Sequence, residues 1–249
     1  LSPFTLSGLA AGNYTLTQLT GVTGNITAKV LTYDVSKISV ADKLYDGLST
    51  TGTITVSAGV FTNLTNAGDI TLVSTGATFA TPTAANGKVV SGFTFGGPNQ
   101  ANYTLPVISG VTGNITKKSL TVINTVVADH PYDGLTTASV SGSTLSGVLP
   151  ADTANVILSL PAGTFANANV GTNKPVTLSP FTLSGLAAGN YTLTQPTGVT
   201  GNITDTIAPI LAPVTIGSNN PLDSSIAKLG NIVTLYFTSN EEITIPTVI

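Results

Sequence analysis

The sequence predicts an all-β protein made of tandem small antiparallel β domains, of sandwich or β-grasp-like type, strung in an elongated array. Three observations lead there. Apolar residues alternate with Thr and Ser over short runs, the period of a half-buried strand, and helical periodicity is nearly absent. Gly, Pro, Asn and Asp punctuate those runs at close intervals. A long stretch of sequence returns at a domain-sized period.

The segment LSPFTLSGLAAGNYTLTQLTGVTGNIT at 1–27 comes back at 178–204 with one change, Leu19 giving way to Pro196. Residues 90–116, VSGFTFGGPNQANYTLPVISGVTGNIT, keep the length and the NYTL and GVTGNIT cores, so Tyr14, Tyr103 and Tyr191 mark steps of 89 and 88 residues. ADKLYDGLSTTG at 41–52 is answered by ADHPYDGLTTAS at 128–139, and Lys29-Val-Leu-Thr and Lys118-Ser-Leu-Thr open the two whole repeats. The frame is a C-terminal remnant at 1–27, a whole repeat at 28–116, a second at 117–204, and a different module over 205–249. Both ends therefore fall inside modules.

In chain order the expected strands include Ile54-Thr-Val56, Ile70-Thr-Leu72, Phe93-Thr-Phe95, Tyr103-Thr-Leu105 and Leu120-Thr-Val122. Strands of about ten residues rise roughly 33 Å, so two repeats in series would reach about 70 Å. Turns are expected at Asp46-Gly47, Asp133-Gly134, Asn86-Gly87, Gly24-Asn25, Gly113-Asn114 and Gly201-Asn202. GNIT runs straight into Lys-x-Leu-Thr, so the linkers are short and the string semi-stiff. In the tail, Pro209 and Pro213 flank an expected domain-joining edge strand, and Ile232-Val-Thr-Leu-Tyr-Phe-Thr is a second strand.

Composition excludes several function classes. Of 249 residues only 8% are charged, with eight Lys, no Arg, eleven acids, one His and a net charge of −3. Nothing clusters to neutralise phosphates or read guanine bidentately, so nucleic acid is not an expected partner. Zero Cys removes disulfides, thiolate nucleophiles and cysteine zinc sites. No run is long and apolar enough to span a bilayer, so membrane insertion is not expected in this segment. The absence of Met marks an expected internal piece of a longer chain.

The Tyr45 and Tyr132 triplets could offer a ring for sugar stacking, but Asp-Gly after an apolar strand is first a turn. Tyr14, Tyr103 and Tyr191 alternate with Leu16, Leu105 and Leu193, which places them on a core face. His130, the lone imidazole, is replaced by Lys43 in the other repeat and reads as a surface residue. The acids Asp34, Asp42, Asp46, Asp69, Asp129, Asp133, Asp152, Asp205 and Asp223 stand singly, with only Glu241 and Glu242 adjacent. Calcium gathers about six or more oxygens; Asp152 and Asp205, near domain edges, are the weak candidates. No nucleophile, base and orienting group come together, so the chain is expected not to be an enzyme, and no catalytic, cofactor-binding or metal residue is nominated. Asn-x-Thr sequons at Asn13, Asn25, Asn63, Asn102, Asn114, Asn190 and Asn202 read as turn and strand residues. Thr-x-Thr pairs such as Thr53 with Thr55 recur too sparsely for an ice-binding face, and no spacing supports Lys–Asn cross-links.

Tyr45-Asp46-Gly47 and Tyr132-Asp133-Gly134, followed at each repeat's end by Asn-Tyr-Thr-Leu and Gly-Val-Thr-Gly-Asn-Ile, resemble the YDG-type and related MBG repeats of very large bacterial surface proteins, over roughly 1–204. The tail, with Ala208-Pro209, Val214-Thr-Ile216, Ser218-Asn219-Asn220, Ala227-Lys228-Leu229-Gly230, Glu241 and Ile243, resembles the bacterial Ig-like repeats of the same kind of protein. The resemblance implies a mid-stalk segment of a giant adhesin, nearest to a gliding-motility adhesin of the Bacteroidota type. It implies type 9 export and an extracellular, bacterial cell-surface location, and it carries across no catalytic residue. The expected function is a structural stalk whose partners are neighbouring repeats of the same chain. The alternative is a multivalent adhesive for surface glycans or other cell-surface proteins.

Overall fold

The computed structural model describes residues 2–241 and 243; Glu242 and the last six residues of the tail lie outside the described residues. Among the described residues the only helical pieces are five 3₁₀ turns of three residues each, and the rest of the regular structure is strand, as expected for an all-β chain. Two compact units emerge. One takes residues 1–120 with 147–157 and 184–192; the other takes 121–146, 158–183 and 193–249. The first unit thus holds the whole first repeat and three pieces of the second, 117–120, 147–157 and 184–192.

The first unit is organised by the strand Thr112–Thr116, the GNIT signature. It lies antiparallel to Ala85–Ser91 and parallel to Lys43–Leu44, and Thr78–Phe79 completes a four-stranded sheet. Its inward Ile115, Val111 just before it, and Leu31, Phe79 and Val90 elsewhere in the unit are all almost fully buried. Alternation produces this directly: the strand reads exposed, buried, intermediate, buried, exposed. A further parallel pair sets Lys29–Val30 beside Tyr103–Thr104, which buries Tyr103 as expected.

The second unit repeats the plan. Thr200–Thr204 runs antiparallel to Gly171–Leu178 and parallel to His130–Pro131, with Gly163–Phe165 and Thr137–Ala138 extending the sheet to five strands. Its core is Val127, Ala138, Phe165, Val176 and Ile203, flanked by Leu178 and Val199. The tail forms a hairpin of Leu211–Ser218 with Val233–Ser239, close to the two expected strands. Its register shifts between Leu211 and Val214. Pro213, with no N–H to give the ladder, falls at that shift.

The structure corrects several expectations. The longest strands have eight residues rather than ten, because positive-φ glycines such as Gly92 and Gly97 turn the chain early. The sheets are mixed, with parallel pairs, among them Lys29–Val30 with Tyr103–Thr104, beside the antiparallel ladders. Asn86-Gly87 is a bulge within Ala85–Ser91, where Gly87 at φ 64° donates its N–H to Asn114 Oδ1 at 2.9 Å. Gly113-Asn114 and Gly201-Asn202 are mid-strand. Glycine is required there by packing: a Cβ on Gly113 would stand 2.8 Å from Val40 Cγ1 and 3.2 Å from Phe79 Cε1. On Gly201 it would stand 2.6 Å from Val127 Cγ1 and 3.1 Å from Phe165 Cε1.

Residues 2–27 form no strand, and Tyr14 is 72% exposed, although its counterparts Tyr103 and Tyr191 are core. One local feature survives: Gln18 clamps the N–H and C=O of Phe4 at 2.8 and 2.7 Å, as Gln195 clamps Phe181 at 2.9 and 3.0 Å. The clamp is therefore written locally, and the strands depend on the rest of a repeat.

Gly113→Ala and Gly201→Ala are expected to lower stability by about 1–3 kcal/mol each through overpacking. Gly189→Ala, with nothing within 4 Å of the added carbon, should stay near neutral. Urea midpoints of the three variants check this.

Candidate functional site

Each Tyr-Asp-Gly triplet is built the same way. Asp46 Oδ1 accepts the Leu48 N–H at 2.9 Å and the Lys43 ammonium at 2.7 Å. Gly47, at φ 81°, takes the left-handed conformation that lets the chain turn back. The Tyr45 N–H donates to Thr116 O at 2.9 Å, pinning the triplet to the end of the GNIT strand. In the second repeat Asp133 Oδ1 accepts the Leu135 N–H at 2.8 Å and contacts His130 Nε2 at 2.9 Å, Gly134 sits at φ 80°, and the Tyr132 N–H donates to Thr204 O at 2.9 Å. The Leu135 N–H, and after it His130, hold the Asp133 carboxyl below its usual range. The turn reading of the triplet is what the structure adopts. His130 is half-buried rather than a surface residue, with its ring 6.1 Å from that of Phe165.

The tyrosine is the variable part. Within the first compact unit Tyr45 is only 6% exposed, and its hydroxyl donates to Asp152 Oδ2 at 2.9 Å. The same oxygen accepts the Tyr191 hydroxyl at 2.6 Å, and the Leu149 N–H donates to that hydroxyl at 3.2 Å. The two rings meet edge to face, centroids 5.4 Å apart at 83°. Beside them Asn190, buried, accepts the Ala84 N–H on Oδ1 at 2.9 Å. Tyr45 and Ala84 belong to the first repeat; Asp152, Asn190 and Tyr191 belong to the second. The cluster is a repeat-to-repeat junction.

Burial, reinforced by the Asp152 carboxylate, pushes the Tyr191 hydroxyl up to about 12 and raises that of Tyr45 as well. A negatively charged acceptor favours the neutral, donating phenol. The arrangement offers directional hydrogen bonds and aromatic packing; it has no nucleophile paired with a base.

The first repeat carries a related set. Tyr103 donates to Asp69 Oδ2 at 2.8 Å and accepts the Thr65 N–H at 2.9 Å, while Asn99 Nδ2 donates to Asp69 Oδ1 at 2.8 Å. Asn99, then Tyr103, hold the Asp69 carboxyl below its usual range. Acid and amide have exchanged places between the repeats. Asp69 N–H donates to Asn66 O at 3.3 Å, and Asn155 N–H donates to Asp152 O at 2.8 Å, so Asn66-x-x-Asp69 corresponds to Asp152-x-x-Asn155.

Residues 27–110 and 116–198 each match the family model of the YDG domain. The chain belongs to the YDG domain family. No match is found among characterised proteins or among solved structures.

Sequence reasoning placed the YDG turns and the core tyrosines but missed the junction. Asp152, a weak calcium candidate by sequence, is the acceptor of two phenols; Asp205 lies instead beside Glu241, whose carboxyl is pushed up by burial and by Asp205. The sequons serve structure: Asn114 and Asn202 donate their side-chain N–H to Asp42 and Asp129, each at 2.8 Å. The one signal that pointed to the junction was the reversed Asn-x-x-Asp and Asp-x-x-Asn pair ahead of the NYTL tyrosines.

Tyr45→Phe removes one donor from a charged acceptor and should cost about 1–2 kcal/mol. Tyr132→Phe, the same change on an exposed ring, should stay within about 0.5 kcal/mol. Urea unfolding of the whole chain measures both. The raised phenol values also fix a pH limb: with folded Tyr191 near 12 against an ordinary 10.0, the stabilisation is complete below pH 10 and is lost as pH rises towards 12. An alkaline titration of the urea midpoint should fall in that window, and the fall should be smaller in Tyr45→Phe.

Proposed function

We propose that the chain is a structural spacer segment of a large secreted bacterial cell-surface adhesin, extending and carrying load between the cell and a distal binding part. The observation that supports this most is the Tyr45–Asp152–Tyr191 contact, which ties one YDG repeat to the next with the signature residue itself. A single residue, Lys117, separates the strand Thr112–Thr116 from Lys118–Ile123, so tension passes from strand to strand with little slack. The junction then resists pivoting at that link, and repeat number sets reach. On this reading the chain performs no catalysis, and the tail from Asp205 begins an Ig-like domain. The parent protein is a gliding-motility adhesin of the Bacteroidota type exported by the type 9 route.

A second reading, a multivalent glycan-binding module, draws on one observation: Tyr132 is 47% exposed on a hydrogen-bonded turn. Single-molecule stretching and a glycan array separate the two. The spacer reading expects each YDG repeat to unfold as a discrete event releasing roughly 300 Å of chain, from about 88 residues at 3.3–3.6 Å each, and no saturable glycan binding. Saturable binding lost in Tyr132→Ala would sink the spacer reading in favour of the adhesive one.

A further inference from the structure

The chain enters the first YDG repeat through Lys29–Val30 and leaves it through Thr112–Thr116. Each of these strands lies parallel to a partner from the other end of the repeat: Lys29–Val30 to Tyr103–Thr104, and Ile115–Thr116 to Lys43–Leu44. In both pairs the chain comes in at one end of the pair and goes out at the opposite end. Tension therefore slides the two strands past each other, and the bonds between them share the load at once. The antiparallel contact of Thr112–Thr116 with Ala85–Ser91 has the reverse geometry. Ile115 faces Ala85, so entry and exit lie at the same end and tension peels the pair bond by bond.

Side chains fasten the sliding pair. Asn114 Nδ2 donates to Asp42 Oδ1 at 2.8 Å and Asn114 Oδ1 accepts the Gly87 N–H at 2.9 Å, while Thr116 Oγ1 donates to Lys43 O at 3.2 Å and the Tyr45 N–H to Thr116 O at 2.9 Å. The second repeat rebuilds the fastening within the second unit. His130–Pro131 pairs with Ile203–Thr204 in the same register, Asn202 donates to Asp129 Oδ1 at 2.8 Å and accepts the Asn173 N–H at 2.9 Å, and the Tyr132 N–H donates to Thr204 O at 2.9 Å. Asn173 keeps the left-handed conformation of Gly87, at φ 52° against 64°, although a residue with a Cβ adopts it rarely.

We propose that this parallel clasp, made where the segment running into the Tyr-Asp-Gly turn meets the GNIT strand, is the load-bearing element of each YDG repeat. Holding tension in shear is then what the two signatures do together. The inference rests on the spacer reading and deepens it, because it names the bonds that hold. Resistance to stretching is set by the rate of forced unfolding, so it depends on which bonds lie across the line of pull and not on equilibrium stability alone.

Constant-force stretching of the whole chain tests the proposal. The sequence has no cysteine, so Leu48→Cys, at an exposed position just past the first turn, gives a unique handle. Pulled by its two ends, the chain loads both clasps in shear. Pulled from position 48 and the C-terminal end, Lys43–Leu44 and Thr112–Thr116 are drawn from the same end, while the second repeat stays in shear as an internal reference. The first repeat should then open with a lifetime more than roughly tenfold shorter than under end handles. Its event releases roughly 230 Å, from residues 48–116 at 3.3–3.6 Å each, against roughly 300 Å for the unchanged second repeat. Under end handles Asp42→Ala, which removes one exposed fastening bond, should shorten the lifetime of the first repeat about fivefold, and Asp129→Ala that of the second. Thr71→Ala, also exposed but in the antiparallel pair of Thr71–Val73 with Thr94–Gly96, should leave it unchanged. Urea midpoints check that the variants fold. A first repeat that lasts as long when pulled from position 48 overturns the proposal, as does a Thr71→Ala effect equal to that of Asp42→Ala. The spacer reading fails separately, through saturable glycan binding lost in Tyr132→Ala, whereas discrete unfolding indifferent to handle position and to Asp42→Ala refutes the clasp alone.

Discussion

A single carboxylate oxygen, Asp152 Oδ2, accepts two phenol hydroxyls from two different repeats, and the junction is arranged around that fact. The acceptor is charged and partly shielded, so each hydrogen bond is stronger than its neutral equivalent. Edge-to-face packing of the two rings adds about 0.5–1.5 kcal/mol beyond burial. The wider chain follows the same economy. With only 8% charged residues, its acids serve mainly as acceptors for uncharged donors: Asp42 and Asp129 for asparagine amides, Asp69 for Asn99 and Tyr103. Among the described residues Lys43 and Asp46 form an ion pair, and at the matching place His130 Nε2 contacts Asp133. The bonds of Asp152 and Asp69, between partly buried groups, are screened far less by salt than exposed pairs.

The YDG signature can be understood residue by residue. Asp fixes the turn by accepting a backbone N–H two residues on and the side chain three residues back. Gly supplies the positive φ that the turn needs. Neither requires the tyrosine, whose backbone is already pinned to the GNIT strand. Its side chain is left to face outward from the repeat, and in the first repeat it finds the second.

Much of the fold was legible because it depends on local pattern. Alternation located the strands and put Tyr103 and Tyr191 in the core, and the period of the repeat set the frame. What failed depends on contacts distant in sequence. Gly113-Asn114 has the composition of a turn, yet the glycine is there because Val40 and Phe79 leave no room for a Cβ, which no local window reveals. The parallel pairing of Ile115 with Lys43, supported by Asn114 and Asp42 across 72 residues, leaves no period of its own. Asp152 looked like an isolated acid because its partners lie 107 and 39 residues away.

The positions at which the two YDG repeats differ are informative in the same way. Lys43 becomes His130 under the turn, Ala84 becomes Val170 beside it, and the acid of the receiving side moves from the end of its turn to the start. The buried glycine, the NYTL tyrosine and the GNIT strand stay the same. Tandem domains with similar sequences are prone to pair wrongly while folding. Varying the contact surface while keeping the core constant lets each repeat fold by the same rules and yet favour one neighbour, because discrimination comes from the difference between the right and wrong contact. An acid that stands at the start of the turn in one repeat and at its end in the other supplies such a difference beside the NYTL tyrosine.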